Sequence, residues 1–174
     1  MSGTFTEKIK LDHEQRQVII DSVHDEVHEG EMMKCGYSSA SVANNASLDV
    51  LLTTGNAEAH AAIRYSAGGE GQCCLYESPT IANGTPLTIY NMKRNSTRTA
   101  ATTAKHTPTV SATGSVALID EFLPGGSGGK AGGGAVRLGA EWILKPDTNY
   151  LLRFTNQAAT SQQVSIAVEF YEAS

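Results

Sequence analysis

Between positions 163 and 171 the chain alternates without a break: Val164, Ile166, Val168 and Phe170 fall on one side, and Ser165, Ala167, Glu169 and Tyr171 on the other. Side chains of an extended strand point to opposite faces in turn, so this period of two predicts a strand with one buried face. Just upstream, Tyr150, Leu152 and Phe154 alternate with Leu151, Arg153 and Thr155, and residues 156–162 between the two runs are polar. The two runs are expected to form an antiparallel hairpin. The same period marks 136–144, where Val136, Leu138, Ala140, Trp142 and Leu144 share the inward face before the turn residues Lys145, Pro146 and Asp147. Shorter runs at 47–53, 59–66, 72–77, 85–92 and 116–123 complete the set, separated by turn-forming pieces such as Ala67-Gly68-Gly69-Glu70-Gly71. About eight short strands with regular turn signals predict a mostly β fold, an antiparallel β-sandwich that is jelly-roll-like. A single sandwich domain is expected over residues 31–174, with residues 1–30 as an N-terminal arm or short helix.

Within that leading segment the pattern supports two conformations. Leu11, Gln15, Val18 and Ser22, and likewise Ile19, Val23 and Val27, recur at helical spacing, and Asp12 stands where a cap would. The β-branched run Val18-Ile19-Ile20 favours an extended arm instead. Residues 124–134 are rich in glycine and too poor in apolar side chains to pack a core, so they predict a long loop between strands.

Composition narrows the classes of function. Of 174 residues 40% are apolar and only 18% charged, which suits a globular β domain and leaves out long charged helices. The net charge of −5 gives no overall attraction for nucleic acid or an anionic membrane. No apolar run reaches the roughly 20 residues that span a bilayer. The first twelve residues are polar, without an apolar signal core, so synthesis in a cytoplasm is expected. Cys73 and Cys74 are adjacent and would face opposite ways on a strand, and Cys35 stands alone. Neither a disulfide framework nor a zinc site is expected from them.

Motifs that carry chemistry are incomplete. Gly129-Lys130 resembles the end of a phosphate-binding loop, but Pro124 replaces its leading glycine and Ala131 lacks the hydroxyl that holds magnesium. His24 and His28 have the i, i+4 spacing of zinc hydrolases, but Asp25 stands in place of the glutamate and no third ligand is spaced for them. His13, His60 and His106 are isolated, and pairs such as Asp120-Glu121 carry little information about acid–base chemistry. No Gly-x-Ser-x-Gly elbow occurs. No enzyme activity, cofactor or metal is therefore expected. The basic run from Lys93 through Arg94 to Arg98 lacks interleaved aromatics for stacking on bases, and reads as a loop that meets an acidic protein surface. Asn83-Gly84-Thr85 and Asn95-Ser96-Thr97 match the glycosylation pattern, by chance where no secretory signal is present.

Several landmarks stand together in this order: His28-Glu29-Gly30, Leu75-Tyr76-Glu77-Ser78-Pro79, Tyr90-Asn91-Met92-Lys93-Arg94-Asn95-Ser96, a strand ending Arg153-Phe154-Thr155-Asn156, and a closing Glu169-Phe170-Tyr171-Glu172. With the Gly-rich loop, they make the chain from His24 onward resemble the capsid-decorating (cement) proteins of tailed bacteriophages. The resemblance implies a non-catalytic virion protein on the capsid exterior, made in the host cytoplasm. Its implied partners are the major capsid protein and further copies of itself, with no nucleic acid and no membrane. Shell symmetry makes a homotrimer on local three-fold axes the first expectation. His28, Glu29, Gly30, Asn91, Lys93, Arg94, Asn95 and Ser96 are the candidate contacts to capsid or neighbouring subunit. The alternatives are a neck- or tail-associated or host- or carbohydrate-binding virion protein, the last of which needs exposed aromatics on one face, and a small hydrolase using His24 or His28.

Overall fold

The computed structural model describes residues 22–114, 116–124, 134–137 and 141–172, together with two short strands further upstream. Those two, β1 (Lys10–Leu11) and β2 (Gln17–Val18), pair with each other, and α1 (Ser22–Glu29) follows. The body then runs through β3 (Met33–Val42), β4 (Ser47–Thr53), β5 (Ala59–Ala67), β6 (Gly71–Glu77), β7 (Thr80–Ala82), β8 (Thr85–Leu87) and β9 (Tyr90–Asn91). It continues through β10 (Thr103–His106), β11 (Thr109–Ala112), β12 (Val116–Leu123), β13 (Gly134–Arg137), β14 (Trp142–Leu144), β15 (Asn149–Asn156) and β16 (Gln162–Glu172).

The fold is mostly β, an antiparallel sandwich. One sheet has the order β12-β6-β15-β4-β10-β8, and the other β13-β5-β16-β3-β9, with β14 also on β5. From β3 to β6 successive strands alternate between the two sheets, and β15 and β16 again fall on opposite sides. β12 touches β13, and β3 touches β8, so the edges of the sheets lie one over the other. A separate pair, β7 with β11, completes the described strands.

Alternation along each strand builds the core. Val164, Ile166, Val168 and Phe170 of β16 meet Tyr150, Leu152 and Phe154 of β15 from the opposite sheet, with Leu52, Ile63, Tyr65 and Leu75 among the other buried members. Each large side chain so buried contributes about 1.5–3 kcal/mol relative to exposure. Tyr65 carries a hydroxyl into this core and donates it to the Cys74 carbonyl at 2.6 Å. Gly71 is required where the Phe154 ring crosses β6: a methyl group there would lie 2.1 Å from Phe154 Cζ and 2.6 Å from the Thr155 carbonyl oxygen.

Two sequence expectations are corrected. β15 and β16 are strands, but they are no hairpin: β15 pairs with β4 and β6, and β16 with β3 and β5. The link between them crosses from sheet to sheet around the buried Asn156, whose Nδ2 donates to the Val42 and Thr160 carbonyls at 2.8 and 3.0 Å. The run at 85–92 is two strands, β8 and β9, on the facing edges of different sheets. In the run at 136–144, β13 and β14 both pair with β5, and Leu138, Gly139 and Ala140 between them lie outside the described residues. Trp142 packs partly buried against the core, as its alternation indicated. Of residues 11–31 the described ones fall in β1, β2, α1 and the turn after it, while Asp12, Gln15, Ile19 and Ile20, like the Gly-rich residues 125–133, lie outside the described residues.

Candidate functional site

The chain leaves α1 through Gly30, whose φ of 81° belongs to the left-handed region that glycine adopts without strain. Its N–H donates to the Val27 carbonyl at 3.2 Å, and that of Glu31 to the Glu26 carbonyl at 2.9 Å. These are the two bonds of a Schellman cap. A methyl group at Gly30 would also stand 2.8 Å from Ser96 Oγ, so glycine lets the basic loop close against the helix end.

That loop is brought there by β9, which runs along β3 with Asn91 opposite Met33 and Tyr90 opposite Lys34. Asn91 is buried and fastens three points at once. Its Nδ2 donates to the Gly30 carbonyl at 2.7 Å and the Arg98 carbonyl at 3.3 Å, and its Oδ1 accepts the Lys93 N–H at 2.9 Å. Lys93 Nζ donates to the His28 carbonyl at 2.8 Å, placing a cation at the negative end of the helix dipole. Ser96 closes the loop: its N–H donates to the Lys93 carbonyl at 2.9 Å and its Oγ accepts the Arg98 N–H at 3.2 Å. The Arg98 guanidinium pairs with the Glu31 carboxylate.

All eight residues singled out in the sequence therefore lie in one cluster, built from two segments far apart in the chain. Their parts differ. Gly30 and Asn91 are buried and hold the cluster together, Lys93 and Ser96 are half-buried, and His28, Glu29, Arg94 and Asn95 face solvent. Tyr90 and Met92, not singled out, flank Asn91 with 55% and 37% of their surfaces exposed. Period two around the polar Asn91 already puts them on the opposite side of the strand from it. The Arg94 guanidinium stands 5.3 Å from the centre of the Tyr90 ring, a cation–π distance. Tyrosine, methionine and arginine are the residue types enriched where proteins meet.

Other polar groups among the described residues lie apart from this cluster. A depression of about 60 Å³ on the outer face of the second sheet is lined by Ala62, Ile63, Arg64, Ala167 and Glu169, well short of the roughly 300–1,000 Å³ of a small-molecule site. His60 Nδ1 lies 2.9 Å from the Tyr171 hydroxyl and 3.3 Å from Glu141 Oε2 on that face, and His106 stacks on Tyr37. His24 and His28 sit on one face of α1 with their Nε2 atoms 2.9 Å apart. Among the described residues no three or more His, Cys, Asp or Glu side chains are grouped to hold a metal, and no helix is long and apolar enough to cross a membrane.

The three cysteines are free and buried, with Cys73 in the core and Cys74 on the other side of β6, its Sγ 3.8 Å from Asp120 Oδ1. Burial pushes the Cys35 thiol up to about 11 and Cys73 to about 12, and raises Cys74 as well. Thiolate is the reactive form. Thiol reagents at neutral pH are thus expected to modify the native protein at least about a hundredfold more slowly than the denatured chain, in which all three react. A thiol in the folded protein that reacts at the denatured rate would contradict the burial.

No protein-family model matches the chain, and neither does any curated protein or solved structure.

Proposed function

We propose that the protein is a structural component of a phage virion that binds the outer surface of the capsid and stabilises it, acting as a decoration protein without catalysis. The observation that carries this reading is the convergence of the His28-Glu29-Gly30 and Tyr90–Ser96 landmarks on one solvent-facing cluster. Residues that lead the resemblance are the same ones that the fold draws into a capped, cross-linked surface with Arg94, Tyr90 and Met92 outward. A rigid β body carrying a small set of interface-type side chains suits docking onto a large protein surface better than it suits turnover of a substrate. The alternation of successive strands between the sheets supports the finer jelly-roll reading of the sandwich.

The partner surface is read as acidic, on a capsid protein, where it meets the loop that carries Lys93 and the exposed Arg94. The reading includes a homotrimer, since repeated copies on a symmetric shell gain from simultaneous contacts. Monomeric or dimeric mass, both in solution and on the particle, would remove the trimer and leave the docking surface standing.

Cryo-electron microscopy of the virion that contains this protein tests the reading. Regular density over the capsid surface with the α1–β9 corner against the shell is the expected result. Density only at the neck or tail would replace it with the first alternative. For a carbohydrate-binding role the two large exposed aromatics among the described residues are poorly placed, Tyr90 lying on β9 and Phe122 on β12, at opposite edges of the sandwich. Arg94→Glu is expected to weaken binding to capsids lacking the protein at least about tenfold, the loss typical of a central interface arginine, with unchanged thermal stability. Unchanged occupancy in a co-sedimentation titration would take the docking role away from this corner.

A further inference from the structure

We propose that His24 and His28 form a two-ligand chelate for a late divalent transition metal, Cu²⁺ in first preference and Ni²⁺ or Zn²⁺ next. The inference is independent of the capsid reading. The i, i+4 spacing puts both imidazoles on one side of α1, and the fold brings the Nε2 atoms to 2.9 Å with ring centroids 4.5 Å apart. Two imidazole nitrogens bound at right angles to one ion on bonds of about 2.0–2.1 Å lie about 2.9 Å from each other. The pair thus already has the separation of adjacent ligands in a square-planar or octahedral site. A tetrahedral ion asks for about 3.3 Å, which a small ring rotation supplies.

In the free protein one Nε2 carries the hydrogen shared between the rings. Chelation requires both Nε2 lone pairs to be bare, with each ring taking its proton on Nδ1, a change of tautomer for one ring. Both side chains are exposed, so an ion has access and its remaining positions are filled by water. The helix that carries them is held at its end by the Gly30 cap, by Lys93 on the His28 carbonyl and by Asn91, so the ligands stand on a fixed element rather than a loop. Nitrogen ligands in a cis arrangement with open positions are the coordination that Cu²⁺ and Ni²⁺ favour, and the affinity order of divalent ions peaks at Cu²⁺. The absent third protein ligand sets the strength of the site and leaves its selectivity to this order.

Tag-free protein titrated with CuCl₂ in a non-coordinating buffer tests the proposal by calorimetry and by electron paramagnetic resonance. One Cu²⁺ per chain is expected, with a hyperfine pattern showing two equivalent imidazole nitrogens. His24→Ala and His28→Ala should each weaken that binding at least tenfold and leave a one-nitrogen spectrum. His24→Gln and His28→Gln, which keep the side-chain bulk, should behave in the same way, whereas His13→Ala, His60→Ala and His106→Ala should bind as the parent does. Circular dichroism identifies any variant that fails to fold, in which case its glutamine counterpart decides. Binding of the same strength and spectrum in the His24 and His28 variants, or no stoichiometric binding by the parent, would overturn the proposal.

Discussion

Phe154→Ala is expected to lower the unfolding free energy by about 3–5 kcal/mol, the range for removing a large buried aromatic. The side chain is fully buried on a central strand, opposite Leu48 of β4 and Cys73 of β6. Its ring lies over Gly71, so the neighbouring strand has no side chain of its own to collapse into the hole. Cavity and lost transfer energy therefore add, and the value should fall in the upper half of the range. Chemical denaturation gives the answer directly: the midpoint should drop while the slope stays constant. A loss under about 1 kcal/mol would mean that the two sheets do not depend on this contact. The pairing with Gly71 provides a second reading of the same site. Gly71→Ala clashes both with the ring and with the Thr155 carbonyl oxygen, so Phe154→Ala should relieve its cost only in part.

Asn91→Ala is the second large effect, and it joins stability to function. The truncation leaves the Gly30 and Arg98 carbonyls and the Lys93 N–H without their side-chain partner. One buried polar group left unpaired costs about 1–3 kcal/mol. Since the loop side of the cluster can recruit water, the total is expected at about 2–3 kcal/mol rather than three times that cost. Asn91→Asp separates the bonds: it keeps an acceptor for Lys93 and loses both donations, and it should recover little of the stability. With the loop no longer fixed, Arg94 and Met92 lose their positions, so binding to the capsid should fall together with stability. Arg94→Glu, by contrast, should lower binding alone. Binding that survives Asn91→Ala in still-folded protein would show that the loop is held for stability and is no docking surface.

What the sequence made legible follows from what alternation encodes. It reports which face of a strand is buried, and hence β15, β16 and the opposed orientations of Cys73 and Cys74 were readable. It carries no record of which strand lies alongside. A polar link of the length of residues 156–162 can turn within a sheet or cross to the other, and the choice here rests on Asn156 and Gln162 being buried and bonded to one another. β3 escaped notice because Gly36, Ser38, Ser39, Ala40 and Ser41 give it almost no contrast between faces. At β8 and β9 the β-rich run continues while the chain passes between sheet edges, which composition does not mark. The candidate site was legible as residues and not as an arrangement. Lys93 and Arg94 looked basic and Gly30 stood in a landmark, but that Asn91 fastens the loop to Gly30 is a relation between distant segments.

The placement of β15 and β16 also bears on how the protein is made. Each occupies the interior of its sheet, β15 between β4 and β6 and β16 between β3 and β5. The strands that will flank them leave the ribosome first and can pair only with their outer neighbours, β4 with β10, β6 with β12, β5 with β13 and β3 with β9. Neither sheet can close until these two strands have emerged, so its two parts stay unjoined until then, and closure is dominated by long-range pairing, the slow regime for β topologies.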